Sequence, residues 1–309
     1  MAIQLAGLAV KVPLSALLIH GVALPASLGG GLGGLGFGPL GVGGCGIATA
    51  CVRWAQWLAA WVLLKRDPFY ARFGWQDTGL VAAPRRAALG GLLRLGVPMG
   101  LAILVEVTGF TFMAFFIARS GTVAVAGHQI AGNLAGLLFM MPLALANATS
   151  ALVAQRIGAG DGPDARRLGW HGLAIACGLA AAAGAALIAL RGPIVGAYTH
   201  DPLVAAAALP LVAIVGVFHL FDAAQTVAAF VLRARRIATA PLLVYALCVW
   251  GVGLGGGYWL AFEAPAAVPA AWRGARGFWL AGTLGLLLSA LALGTLLALV
   301  MNAERRRTS

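Results

Sequence analysis

Eight long apolar segments constrain this chain of 309 residues more than any other feature. Each is a continuous run rich in Ala, Leu and Val, and each is near or above the ~20 residues that a helix needs to cross a bilayer. Because such runs lack the alternation of barrel strands, the sequence predicts an all-α polytopic membrane protein with about eight transmembrane helices. The segments cover approximately residues 5–23, 46–64, 95–118, 126–156, 167–190, 203–232, 238–262 and 277–301.

The composition supports the same fold class. Residues of hydrophobic type make up 61% of the chain and charged residues 10%, a balance that one soluble core of this length cannot hide. The net charge of +12 does not indicate nucleic-acid binding, because the sequence contains no basic stripe interleaved with aromatic residues. The expected partner is therefore the lipid bilayer.

The basic residues predict the orientation of the spans. Of the 21 Lys and Arg, fifteen lie in the loops and tail of one side, four lie on the other side, and Lys11 and Arg53 lie within spans. The positive-inside rule therefore predicts that the N- and C-termini are both cytoplasmic. The protein is expected in the cell (inner) membrane. Arg53 follows the predicted start of its span by seven residues, so its side chain is expected to extend to the membrane interface.

Two carboxylates, Glu106 and Asp222, lie inside the apolar segments, in the third and sixth spans. A carboxylate at bilayer depth costs roughly 2.5–3.5 kcal/mol on insertion scales, so its presence indicates a function that leucine cannot supply. At 1.5 Å rise per residue, both acids lie about 15–17 Å from the nearer predicted cytoplasmic end, near the midplane. We therefore expect them at a similar level in the membrane.

Side chains at helical spacing extend the faces of the two acids. His219 and Gln225 continue a polar stripe around Asp222, and such a stripe must face protein or water instead of lipid. Met113 shares the Glu106 face and adds a soft surface that suits varied apolar cations. These three residues are candidates for the lining of a substrate cavity, although ordinary helix packing is the alternative role for the methionine.

The fourth span carries a second polar face. Asn133, Met140 and Asn147 recur every seven residues, and Gln129 lies one turn before Asn133. Pro142, between them, removes a backbone hydrogen bond and can bend the helix. We expect this face to line a substrate cavity; interhelical hydrogen bonding is the alternative role for the asparagines.

No pattern indicates an enzyme, a metal centre or an organic cofactor. The four cysteines lack C-x-x-C spacing and the five histidines lack H-E-x-x-H spacing. The glycine-rich segment 29–46 follows no predicted strand and precedes no lysine of a phosphate-binding loop, so it predicts an external loop. ATP-driven transport is accordingly not expected.

Several ordered motifs resemble the multidrug and toxic compound extrusion (MATE) family, NorM-like branch. Residues 93–167 resemble its seventh and eighth helices, 191–204 its ninth-to-tenth helix connection, and 218–236 its tenth helix. Upstream, residues 11–21 (KVPLSALLIHG) and 41–54 (GVGGCGIATACVRW) are similar to its fifth and sixth helices. The resemblance extends over nearly the whole chain and keeps the order of the family.

The resemblance implies a domain organisation. Members normally have twelve helices in two six-helix lobes, so the chain is expected to hold helices five to twelve, with the first four missing. Residues 1–66 would be the last two helices of the first lobe, and 67–93 a cytoplasmic linker between lobes. Residues 94–301 would be the complete second lobe, and 302–309 a basic cytoplasmic tail.

The resemblance also implies a secondary antiporter that exports organic cations, drugs or toxic compounds in exchange for Na⁺ or H⁺. Glu106 and Asp222 would bind the coupling ion, since a desolvated carboxylate can exchange a proton, and two carboxylates with nearby carbonyls can hold a hard cation. Two other classes stay open. The chain could be a non-transporting fragment or the assembly partner of a separately encoded N-terminal part. A lipid-linked saccharide flippase is the third class, although its cavity would be expected to carry basic rather than acidic residues.

Overall fold

The protein is described by a computed structural model. The chain divides into two compact units, 1–85 and 86–309. In the described part of both units the regular structure is helical, and eight helices are long and apolar enough to cross a membrane. The predicted all-α polytopic fold with eight spans is thus confirmed. The structure describes residues 2–21, 40–68, 86–265, 268–269 and 272–308.

The first unit contains a helical hairpin of α1 (Ala2–His20) and α2 (Gly41–Arg66). The two helices approach closely at Gly44, where an added Cβ would lie 2.6 Å from the carbonyl oxygen of Leu18. Only glycine permits that approach. The hairpin is also held by a hydrogen bond within this unit, because Gln56 Nε2 donates to the carbonyl of Ile3 over 3.2 Å.

The second helix begins earlier than the sequence analysis predicted. The segment 29–46 was expected to be an external loop, and that prediction is wrong for residues 41–46, which form the first turns of α2; residues 29–39 lie outside the described part. Of the glycines here, Gly44 makes the close contact with α1, and Gly41 has a left-handed backbone with φ of 53° where the helix begins. Arg53 is therefore the thirteenth of 26 helical residues instead of lying near an end, and its guanidinium donates to Gln56 Oε1 over 3.4 Å.

The described residues of the second unit form six long helices and one short helix. A helix begins at Arg86, so residues 86–93 of the segment expected as a linker are helical, and the helix that begins at Ala275 continues through residues of the expected tail. The helices are α3 (Arg86–Ala118), α4 (Thr122–Gly158), α5 (Gly162–Ala189), α6 (Arg191–Tyr198), α7 (Pro202–Ala234), α8 (Thr239–Glu263) and α9 (Ala275–Thr308).

Helix α7 lies at the centre of this unit and packs against α4, α5 and α9. It begins at an N-cap, Asp201, whose side chain accepts a hydrogen bond from the backbone N–H of Leu203 over 2.8 Å. The crossing with α5 is tight because Gly184 and Gly216 face each other, and a Cβ on Gly184 would clash with the Gly216 carbonyl. This central position places Asp222 of α7 among buried side chains.

Helix α8 alternates α-helical and π-helical turns. The residues Leu247–Gly255 and Trp259–Glu263 are π-helical, whereas Thr239–Ala246 and Gly256–Tyr258 are α-helical. Its glycines allow close packing on α9. A Cβ added at Gly253 would lie 3.5 Å from the Cα of Gly282. π-Helical turns in membrane and soluble proteins are frequent at functional sites, and here they border a cavity.

Candidate functional site: a carboxylate cavity in the second unit

A cavity of about 410 Å³ lies between α3, α4, α7, α8 and α9, and we call it the carboxylate cavity. Its volume falls within the roughly 300–1,000 Å³ of ordinary small-molecule sites. Both intramembrane acids line it. The lining residues are Glu106, Val107, Gly109, Phe110, Thr111, Met113, Gly132, Ala135, Gly136, Phe139, Phe218, Asp222, Tyr245, Val249, Gly253, Leu254, Phe278, Trp279, Gly282 and Leu286.

The two acids approach the cavity from different helices. Glu106 on α3 is half-buried, and Asp222 on α7 is only 7% exposed. Their carboxylates interact electrostatically, and this repulsion between like charges favours the uptake of a proton or another cation. Gln225, one turn after Asp222, donates from Nε2 to Asp222 Oδ1 over 3.4 Å and to Thr226 Oγ1 over 3.1 Å. This amide holds the Asp222 side chain in place.

Three aromatic rings form one wall of the cavity. Phe110, Phe218 and Trp279 are mutually edge-to-face, with ring centroids 6.2, 6.3 and 5.4 Å apart for the three pairs. The indole Nε1 of Trp279 donates a hydrogen bond to Nδ1 of His128 over 3.3 Å, which fixes the ring. Aromatic faces attract cations, so the wall and the two carboxylates favour the same class of ligand.

Tyr245 of α8 is a cavity residue that the sequence analysis missed. It is buried, lines the cavity, and interacts electrostatically with both Glu106 and Asp222. The sequence signal that could have identified it is a tyrosine deep in an apolar segment, because a buried phenol hydroxyl needs a polar partner. The cavity rings Phe139, Phe278 and Trp279 were missed as well, because an aromatic residue in a membrane helix has no distinguishing pattern.

The candidates near the two acids occupy different environments. Met113 lines the cavity, as expected for the Glu106 face. Gln225 is buried behind Asp222. His219 is buried outside the lining, and its Nε2 has no hydrogen-bond partner among the described residues.

The structure places the polar face of α4 outside the carboxylate cavity. Gln129, Asn133, Met140 and Asn147 are exposed, because α4 turns its Gly132, Ala135, Gly136 and Phe139 face to the cavity instead. The small residues on that face leave room for the ligand space. A role of the four exposed residues as substrate contacts therefore stays a prediction, and it concerns a surface of α4 outside this cavity.

Two hydrogen bonds orient the asparagines of that face. Asn133 Oδ1 accepts a hydrogen bond from the hydroxyl of Tyr198 over 2.7 Å, and Asn147 Nδ2 donates to the Leu143 carbonyl over 2.8 Å. The remaining amide groups of both side chains are left for water or for a ligand. A polar face of this kind is unfavourable against lipid.

The described residues contain no group of three or more His, Cys, Asp and Glu side chains that could hold a metal ion. A hard cation bound between Glu106 and Asp222 would thus need further oxygen ligands from backbone carbonyls or water. The charged lining groups of the cavity are two carboxylates, which favour a cation over an anion.

Comparisons with known proteins agree with this architecture. The MatE family matches residues 98–259. The chain is 40% identical to a probable multidrug resistance protein NorM of Aromatoleum aromaticum over 94% of its length, and 32% identical to the multidrug resistance protein PmpM of Pseudomonas aeruginosa over 89%. It covers 59% and 55% of those relatives.

Solved structures show the same fold. The eukaryotic MATE transporter AtDTX14 matches with a TM-score of 0.80 at 18% identity, over 100% of this chain and 64% of that protein. An outward-facing multidrug resistance MATE family transporter of the MOP superfamily matches with a TM-score of 0.78 at 18% identity, over 99% and 62%. The chain thus spans about six tenths of the length of the proteins it matches. It belongs to the MatE family, a family of membrane transporters and not of enzymes.

Proposed function

We propose that these helices form part of a secondary antiporter that exports organic cations, drugs or toxic compounds in exchange for Na⁺ or H⁺. The observation that carries the proposal is the convergence of Glu106 and Asp222, from two different helices, on one aromatic-lined cavity. The relatives named as multidrug resistance proteins support the substrate class. The acidic lining favours this function over a saccharide flippase, whose cavity would carry basic residues.

Exchange follows from competition for the two carboxylates. An empty cavity holds two like charges in a surrounding of low dielectric constant, so it binds a cation strongly. A coupling ion and an organic cation would neutralise the same groups and would exclude each other. An inward gradient of the coupling ion then drives release of the organic cation on the opposite side of the membrane.

Each coupling ion would use the carboxylates differently. A proton would be held by one acid and shared with the other. Sodium would be held by both acids and by carbonyl or water oxygens. Gln225 would keep Asp222 oriented in both cases, because its hydrogen bond remains when the other oxygen of Asp222 binds the ion.

We further propose that the chain lies in the cell inner membrane with both termini in the cytoplasm. Since the chain spans 59% of the NorM relative, transport would require the remaining first-lobe helices, either encoded separately or joined upstream. Without them the chain would be a non-transporting fragment. The unit that holds both acids would still bind cations, and binding is therefore the sharper measurement.

Cation binding by the purified chain in lipid nanodiscs tests the proposal. Tetraphenylphosphonium, titrated by calorimetry, should bind to the parent and should lose at least tenfold in affinity with Glu106→Gln or Asp222→Asn, since each removes a charge and keeps the volume. Asp201→Asn is the matched control and should bind like the parent. Asp201 is the exposed N-cap of α7, and asparagine is also a favourable N-cap residue. If both neutral variants bind like the parent, the acids are structural and the proposal is wrong.

The same variants test exchange where first-lobe helices are supplied. Efflux of a fluorescent organic cation from vesicles should follow an imposed Na⁺ or H⁺ gradient, and only the ion that is coupled should drive it. Each single acid substitution should abolish this efflux at normal membrane expression. Efflux that persists in both variants would exclude the two acids from coupling.

A further inference from the structure

A basic side chain lies close to the carboxylate cavity without lining it. Arg233 is eleven residues after Asp222 on α7, or about three helical turns, so both residues lie on one face of the helix. The separation of their Cα atoms along the helix axis is about 16 Å. Side chains of helices lean toward the N-terminus, which directs Arg233 back toward Asp222 and the cavity.

A ring contact fixes that direction. The guanidinium carbon of Arg233 lies 4.6 Å from the centroid of Phe230, one turn closer to the cavity. Arg233 is half-buried, and its charge interacts with Glu106 and with Tyr245, two groups that line the cavity. Arg233 makes no direct ion pair with Glu106, so its positive charge acts across the intervening space.

The neighbouring arginines are engaged differently. The side chain of Arg235 is 3% exposed and pairs with Glu304 of α9. Arg236 is exposed and has a left-handed backbone with φ of 61°. Among these three basic residues at the end of α7, Arg233 is the one whose charge reaches the cavity.

We propose that Arg233 is an internal counter-ion of Glu106 that sets the affinity of the carboxylate cavity for cations. The inference rests on the proposed function, because it requires that Glu106 binds the transported cation. In the empty cavity the tethered guanidinium partly neutralises Glu106. A bound cation must compete with that charge, and the competition weakens binding enough for the cation to leave on the far side of the membrane.

Calorimetric titration of tetraphenylphosphonium with the purified full chain in nanodiscs tests this role. Two unit charges that are about 10 Å apart change each other's binding by roughly tenfold at an effective dielectric constant of about 20, and we take this as the scale of the effect. Arg233→Gln should therefore bind about tenfold more tightly than the parent. Arg233→Lys should bind within about twofold of the parent, because the charge is kept. Arg236→Gln is the matched control, since it removes the same charge from an exposed neighbour, and should also bind like the parent.

The outcomes separate the two proposals. If Glu106→Gln binds like the parent, the proposed function fails. If Glu106→Gln weakens binding while Arg233→Gln leaves it unchanged or weaker, the proposed function stands and the role of Arg233 is overturned. A double variant that combines Glu106→Gln with Arg233→Gln should bind tetraphenylphosphonium no more tightly than Glu106→Gln alone, because the carboxylate that Arg233 would neutralise is absent. Arg233→Met serves as a second neutral variant if Arg233→Gln does not purify as a monodisperse protein.

Discussion

The indole of Trp279 on α9 donates to the imidazole of His128 on α4, and the bond joins two helices that both pack against α7. Trp279 is 1% exposed and forms part of the aromatic wall of the carboxylate cavity. The hydrogen bond therefore connects the packing of the helical unit to the shape of its ligand space. His128, which matches no functional motif in the sequence, thus has a structural role as the hydrogen-bond acceptor of Trp279.

Loss of this bond should weaken both stability and binding. In His128→Leu the buried Trp279 N–H loses its partner, which costs about 1–3 kcal/mol of unfolding free energy. The loosened ring should also lower the affinity for tetraphenylphosphonium. Thermal unfolding and calorimetric titration measure the two effects. His171→Leu on the exposed surface of α5 is the control and should change neither; a similar loss in both variants would assign the effect to histidine removal in general.

The crossing of α5 and α7 should not tolerate a methyl group. Gly184→Ala puts a Cβ against the Gly216 carbonyl, and relief of that clash by helix displacement should cost about 1–3 kcal/mol. Gly178→Ala lies on the same helix with nothing within 4 Å of the added Cβ, so it should be neutral or slightly stabilising. Unfolding of both variants in a detergent titration compares them, and equal midpoints would show that the crossing is not tightly packed.

The polar face of α4 should be accessible to water. In a cysteine-free background, Asn133→Cys and Asn147→Cys should react with a small water-soluble maleimide faster than Leu137→Cys. Leu137 is the matched control, because it is exposed on the same helix and its apolar side chain suits a lipid surface. Equal labelling of the three positions would contradict a water-accessible face and would indicate that both asparagines serve helix packing.

The distribution of basic residues predicts the topology. Reporters fused after Arg86 and at the C-terminus should both be cytoplasmic, and a reporter fused after Gly36 should be external. Activity of paired alkaline phosphatase and fluorescent protein fusions measures this. An external reporter at Ser309 would contradict the map of eight spans with cytoplasmic termini.

The sequence alone predicts the spans and the two acids because both are strong chemical signals. Long apolar runs have one stable solution in a bilayer, and a carboxylate within them stands out from a uniform background. Glu106 and Asp222 are predicted near the midplane from their positions in the spans, and both line one cavity in the structure. Met113 lines the same cavity because it shares the Glu106 face, and its role as a substrate contact stays a prediction.

Other features depend on which way each helix face turns, and periodicity does not fix that. The stripe of Asn133 and Asn147 is predicted to line a cavity, whereas the carboxylate cavity is lined by the glycine and alanine face of α4. Small residues allow close approach and leave space, but they carry no polar signal. Likewise Tyr245 and Trp279 become site residues only through the helices that pack beside them.

The winding of α8 has a mechanical consequence. Each π-helical turn holds about one residue more than an α-helical turn, so the segment Leu247–Gly255 is wider and shorter than an α-helix of the same composition. Release of one such residue into regular α winding would turn everything beyond it by about 100° about the helix axis. Val249, Gly253 and Leu254 border the carboxylate cavity, and a rotation of that size would exchange the side chains that meet its contents. A small change in the winding of α8 would thus present a different chemical surface to the carboxylate cavity.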